Sequence, residues 1–290
     1  MDTERLGFVV LAGLALGSSA VLSRFGLQDI APLSLVALRL GVATVAFLLT
    51  LRVLRPGFPR HPRPLLDIAI VGLTTMAIPL SAFTLALQFI SSAVLSIFLG
   101  FIPLFTAVLA HFWLPQERLT MRKVAGLLLA FAGVVFLIVT RTTGLAGGAA
   151  FDVRGQLLGL GGAAVAAASG VYTRLRLRSA DVMVVTAGQM TVGFLVVLPV
   201  ALSTSSFSLS GITWRGWLAV GYTGIIGSYV GFLLLFTMIQ RFGATTAALP
   251  AFVTPVAAAI LGAFVLREVI TLPLVVGATI ILTGVFLASR

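Results

Sequence analysis

Eight carboxylates, two histidines and no cysteine are what this 290-residue chain offers for acid–base, metal or nucleophilic chemistry. The acids are Asp2, Glu4, Asp29, Asp67, Glu117, Asp152, Asp181 and Glu268, and each falls in a loop or at the end of an apolar run. None lies mid-run, so the sequence places no two of them where one could take a proton as the other gives one. His61 and His111 share no motif, and neither a nucleophile elbow nor a HExxH zinc site occurs. The missing cysteines exclude a thiolate metal site, a cysteine nucleophile and a disulfide framework. Gly159, Gly161 and Gly162 follow no predicted strand, so they read as small residues at a helix contact rather than as a dinucleotide loop. The expectation is no catalytic residue, no metal, no cofactor and no enzyme.

Arg39 stands apart as the one fully charged side chain well inside an apolar run. It lies seven residues in from Pro32, or ~10 Å at 1.5 Å per residue. A guanidinium at that depth raises the insertion free energy by roughly 2.5 to 3.5 kcal/mol, which turns it toward the bundle interior or a watery cavity. Three roles fit: contact with substrate, snorkelling to the outer headgroups, or a bond to a carbonyl at a broken helix. Gln189 follows it at an offset of 150 positions. With Ser19, Ser169, Thr75, Ser96, Tyr172, Tyr222 and Tyr229, these two residues make the candidate lining of a weakly polar, substrate-binding cavity. Any single hydroxyl among them has a competing structural role, a bond to the carbonyl one turn back.

Prolines and glycines mark where the runs bend. Pro103 and Pro255 remove a backbone donor at matching places, and Pro79 corresponds to Gly231, so these four are the candidate hinges.

The elements that would carry these residues are apolar. The chain is 59% hydrophobic and 9% charged, with a mean hydropathy of +1.16. A helix crosses the ~30 Å hydrocarbon layer with about 20 such residues. Ten runs of about this size follow one another: Leu6–Ser23, Pro32–Leu51, Leu65–Leu85, Ala93–Trp113, Val124–Val139, Leu157–Tyr172, Val182–Leu202, Trp217–Ile239, Thr246–Leu266 and Leu272–Ala288. The first of them reads as a retained helix and not a removed signal peptide.

The second half repeats the first. Pro103, Glu117, Thr120, Gly126 and Gly133 recur as Pro255, Glu268, Thr271, Gly277 and Gly284, and Ser19 and Arg24 recur as Ser169 and Arg174. Residues 1–140 therefore read as one five-helix repeat, 141–154 as a linker and 155–290 as the second repeat. The +11 net charge does not form one patch that would suggest nucleic acid. With the N-terminus inside, thirteen basic residues collect on the cytoplasmic side and five on the other, as the positive-inside rule requires. Five helices is an odd number, so the second repeat enters the membrane in the opposite sense. The fold class expected is an all-α membrane protein of ten transmembrane helices in two inverted five-helix repeats.

The run Ala86-Leu87-Gln88 through Ser92, Pro103, Glu117-Arg118-Leu119-Thr120, Gly126 and Gly133 resembles the signature of the drug/metabolite transporter superfamily, EamA type. Its second copy runs from Gly243 and Ala244 through Pro255, Arg267-Glu268, Thr271, Gly277 and Gly284, and Pro32 with Arg39 is similar to that family's second-helix pattern. Leu16-Gly17 replaces the family's usual aromatic-glycine pair in the first helix. The resemblance implies a multi-pass carrier of the cytoplasmic (inner) membrane, with both termini inside, often exporting amino acids or other small metabolites by alternating access. The partners implied are a small-molecule substrate and the lipid bilayer, without nucleic acid and with a homodimer as an option. An intramembrane enzyme, or an exchanger or facilitator for another small organic solute, is the alternative.

The charge count gives a topology that labelling checks. Single cysteines at Arg60 and Arg176 should react only from the cytoplasm, and one at Gly147 only from outside; reaction of all three from one side contradicts the inverted arrangement.

Overall fold

Apolar side chains face outward along every long helix, among them Leu11, Val45, Leu49, Leu128, Val135, Leu195 and Phe264. A water-soluble chain does not leave so much apolar surface uncovered, whereas lipid tails accept it. The computed structural model describes residues 3–54, 62–113, 120–145, 151–177, 180–204, 207, 209, 211–242 and 249–289. It is all-helical, with no strand among the described residues. Among the described residues seven helices are long and apolar enough to cross a membrane: Thr3–Gly26, Pro32–Val53, Leu65–Ala86, Ser92–Trp113, Met121–Val139, Val182–Ser203 and Trp214–Leu235. A glycine- and alanine-rich helix of 24 residues and two apolar helices of 17 and 18 residues pack among them.

In chain order the helices are α1 (Thr3–Gly26), α2 (Pro32–Leu54), α3 (Pro62–Val71), α4 (Ile78–Ala86), α5 (Ser92–Leu99), α6 (Ile102–Trp113), α7 (Met121–Val139), α8 (Val153–Arg176), α9 (Val182–Ser203), α10 (Trp214–Tyr222), α11 (Gly231–Phe242), α12 (Pro250–Leu266) and α13 (Leu272–Ser289). Two wider π-helical segments interrupt the spans, Gly72–Ala77 between α3 and α4 and Thr223–Val230 between α10 and α11. The first ends just before Pro79, which has no N–H to return to the carbonyl one turn back. The second ends against Gly231. The candidate hinges Pro79 and Gly231 thus sit at the ends of the two π segments. The run Ala93–Trp113 is divided by a turn at Gly100 and Phe101, two residues before Pro103. Pro255 lies inside α12, which continues from Pro250 to Leu266.

Packing crosses between the first and second halves. α2 lies along α9, α7 along α13, α1 along α12 and the second π segment, and α8 along α4, α5 and α6. Glycine makes these approaches close. A Cβ at Gly17 would fall on the Thr254 carbonyl and Ala257, and one at Gly133 on Ile281. Such bare backbones let helices meet where lipid supplies no hydrophobic push between them. Glu117, Arg60, Gly147, Gly243 and Ala244 lie outside the described residues.

A Cβ at Gly284 would fall on the Ala130 amide and the Gly126 carbonyl, both backbone. Gly284→Leu should therefore lower the melting temperature of the purified protein, with overpacking worth about 1–3 kcal/mol. Gly161→Ala, which meets nothing within 4 Å, should leave it unchanged.

Candidate functional site

Where α1, α2 and the second π segment cross, the bundle is bare enough to hold a guanidinium. Gly224 sits against Val42 and the Arg39 carbonyl, and Gly227 sits against Ser19 and the Arg39 guanidinium. The widened π turn follows α10, and Thr223 at its start bonds back to the Ala219 carbonyl at 2.7 Å. The turn presents Ser228 to Arg39. Arg39 is 6% exposed, and its hydrogen-bond partners are three serine hydroxyls. Its Nε and Nη2 donate to Ser228 Oγ at 3.2 and 3.0 Å, Nη2 also to Ser19 Oγ at 3.2 Å, and Nη1 to Ser23 Oγ at 3.2 Å. Ser23 in turn donates to the Ser19 carbonyl at 2.7 Å, which fixes its rotamer.

None of the ion pairs among the described residues includes Arg39. A buried cation held only by neutral dipoles is incompletely compensated, because hydroxyls supply partial charge and not a full one. Of the three roles open to Arg39, snorkelling does not occur, and the bonds run to side-chain hydroxyls rather than to carbonyls at a helix break.

A second hydroxyl cluster lies between α8 and the first π segment. Ser169 Oγ meets Thr74 Oγ1 at 2.7 Å and Thr75 Oγ1 at 2.5 Å, and Thr74 also donates to the Ile70 carbonyl. Ser19 and Ser169, which correspond in sequence, thus each meet a π segment in the opposite half. Gln189 is 2% exposed, and its Oε1 has no hydrogen-bond partner among the described residues. An unpaired buried acceptor is costly, by about 1–3 kcal/mol, unless water or a ligand supplies a donor.

The remaining candidates are engaged elsewhere. Tyr222 donates to Ser18 Oγ at 2.9 Å, on the residue next to Ser19 of the Arg39 cluster. Tyr229 shares a hydrogen with Thr50 at 2.7 Å and stacks edge-on against Phe47. Tyr172 donates to Asp67 at 2.7 Å, and Arg176 approaches the same carboxylate at 3.6 Å. Ser96 bonds the Ala93 carbonyl within its own helix at 2.7 Å. Ser23 and Gln156 were missed by sequence reasoning. Gln156 is fully buried, and neither atom of its amide has a partner among the described residues. It falls one residue before the apolar run that begins at Leu157, so hydropathy did not single it out. No group of acids and histidines that could hold a metal occurs among the described residues.

Comparison with known proteins gives this geometry its setting. The model of the EamA-like transporter family matches residues 6–139 and again 153–290. The chain belongs to the EamA-like transporter family. It is 24% identical over 279 residues to an uncharacterized transporter of Bacillus subtilis, YoaV, across 96% of this chain and 94% of that protein. It is 28% identical over 253 residues to the uncharacterized inner membrane transporter YedA of Escherichia coli, across 85% and 78%. A solved crystal structure superposes with a TM-score of 0.71 at 21% identity, covering 99% of this chain and 97% of the other, which is a likeness of fold. The family and its relatives make this EamA-like chain a membrane transporter.

Gly227→Ala would drive its methyl group onto Ser19 Oγ and the guanidinium. Thermal unfolding should show a clear loss of stability for Gly227→Ala and none for Gly221→Ala, where a Cβ meets nothing within 4 Å. Equal melting temperatures would mean that the Arg39 cluster is loosely held.

Proposed function

We propose that this EamA-like protein is a secondary transporter of the cytoplasmic membrane that exports small metabolites such as amino acids by alternating access. The observation that carries the reading is Arg39, a buried cation whose partners are neutral hydroxyls drawn from both halves of the chain. A substrate carboxylate would supply the missing charge, and the planar guanidinium can grip it in two places. Gln189, Ser19, Ser169, Thr75 and Tyr222 complete the proposed binding surface, with Ser96, Tyr172 and Tyr229 at its margins.

On this reading residues 1–140 and 155–290 form two inverted five-helix repeats joined by 141–154, with ten transmembrane helices and both termini cytoplasmic. The exchange of partners between halves supports it: α1 packs on the later half as α8 packs on the earlier one. Pro79, Pro103, Gly231 and Pro255 would absorb the bending. Export, the choice of amino acids as cargo and a homodimer in the bilayer belong to the same proposal.

No carboxylate pairs with Arg39 among the described residues, so nothing at the site would relay protons directly. Exchange or facilitated diffusion is therefore favoured over strict proton coupling. Purified protein in liposomes should carry a carboxylate-bearing metabolite down its own gradient without a pH gradient. Arg39→Ala should abolish most of that flux, and Arg39→Lys should restore only part. Gln189→Ala should weaken it less, because a neutral hydrogen bond contributes about 0.5–1.5 kcal/mol against roughly 1.5–3 for a charged one. Flux that requires an imposed proton gradient, or that survives Arg39→Ala, contradicts the proposal.

A further inference from the structure

Glu268 is a buried carboxylate that the proposed substrate site does not use. It sits just past the end of α12, where Arg267 adopts a left-handed conformation with φ 55°. That turn lets the Glu268 amide donate back to the Gly262 carbonyl at 3.1 Å and throws the acidic side chain inward. The bare Cα of Gly262 leaves the room, since a Cβ there would collide with Glu268 Oε2. The carboxylate then reaches the start of α5, 176 residues away in sequence. Oε1 accepts from the Ser92 amide at 2.9 Å, and Oε2 accepts from Ser92 Oγ at 2.8 Å and from the Ala93 amide at 3.4 Å. It caps a helix to which it is not joined.

Arg24, at the end of α1, completes the junction. Its Nε lies 3.3 Å from Glu268 Oε1, while Nη1 donates to the Leu87 carbonyl and, at 2.9 Å, to the Ile90 carbonyl at the turn after α4. Two backbone bonds flank the pair, from the Ser91 amide to the Thr143 carbonyl and from the Val269 amide to the Gly144 carbonyl. One ion pair therefore ties together α1, the α4–α5 corner and the α12–α13 corner, all at the same end of the bundle. The Glu268 side chain is 4% exposed. Separating the two charges without water would leave each uncompensated, so the junction holds firmly while dry and releases once water enters.

We propose that Arg24 and Glu268 form the latch that closes this end of the transport pathway, the outer end in the orientation proposed above. The inference rests on the transporter reading but not on Arg39. When the latch opens, α12 and α13 part from α5, the Ser92 and Ala93 amides pass to water, and the hydroxyl-lined interior becomes reachable from that side.

The cysteine-free chain makes the test direct. A cysteine replaces Ser96, which is fully buried one helical turn below the capped end of α5, and intact cells are treated with a membrane-impermeant maleimide. Labelling should be slow in the otherwise unaltered chain. It should become about ten-fold faster or more with Glu268→Gln or with Arg24→Gln, since the Glu268 carboxylate is buried and the Arg24 side chain only 22% exposed, and breaking such a pair shifts a two-state balance strongly. Arg24→Gln leaves the cap of α5 in place and serves as the second variant where Glu268→Gln folds poorly. The double variant should label no faster than the faster single one, because both remove the same contact. Unchanged labelling in both single variants overturns the latch. Equal acceleration at Thr50→Cys, near the opposite end of α2, also overturns it, because the whole bundle has then loosened. Liposome flux is measured on the Arg24→Gln and Glu268→Gln proteins with Ser96 intact. Flux with unchanged labelling rejects the latch alone, and faster labelling without flux of any metabolite rejects the export reading alone.

Discussion

A guanidinium buried in an apolar helix bundle, with no acid paired to it among the described residues, is the constraint on which the proposed site depends. Arg39 presents five N–H donors, and its four hydrogen bonds end on three serine hydroxyls. Each serine must be delivered to within 3.2 Å by a different stretch of helix wall, two by α1 and one by the second π segment. That requirement explains the local composition. Gly224 and Gly227 must lack side chains for the π segment to come near α2, and Ser23 must be held by the Ser19 carbonyl to point its oxygen inward. Hydroxyl dipoles soften the desolvation of the cation but do not cancel its charge. On the proposed function, a substrate of the opposite sign supplies the remainder.

The same contacts couple the two halves matched by the family. Ser19 and Arg39 belong to the first match and Ser228 to the second, while Ser169 of the second meets Thr74 and Thr75 of the first. Relative motion of the halves cannot leave the Arg39 cluster unchanged. Both π segments lie at these junctions, and a π turn carries one residue more than the hydrogen-bond ladder needs, so it can shift register without losing the span. On the proposed mechanism, binding chemistry and bending therefore occur at the same points. The Arg24 and Glu268 junction stands apart from them and holds one end of the bundle, which separates closing from recognition.

Much of this was legible in the sequence because the bilayer leaves few options. Apolar runs of membrane length, paired glycines and a lone mid-span arginine follow from hydropathy and spacing, and Pro79 and Gly231 lie beside the two π segments. The π segments themselves were not legible, since an extra residue per turn leaves no periodic trace in a helix that is apolar on every side. Nor were the partners of Arg39. Ser23 and Ser228 carry no sequence signal that pairs them with Arg39, and only the crossing of α1, α2 and the π segment brings them to the cation. Glu268 was visible as half of a repeated motif at a helix end. Its reach to Ser92 depends on the left-handed turn at Arg267, a position where sequence would favour glycine. Gln156 was missed because it lies just outside the apolar run that begins at Leu157.

The central claim is that Arg39 needs an anion, and direct binding tests it without reference to direction or coupling. Purified protein would be screened by thermal unfolding against small metabolites that carry a carboxylate and against their uncharged amide counterparts. The account predicts that at least one carboxylate raises the melting temperature of the unaltered protein, that its amide does not, and that the rise vanishes in Arg39→Gln. A carboxylate that stabilises Arg39→Gln as well as the unaltered chain, or an amide that works equally well, would contradict it.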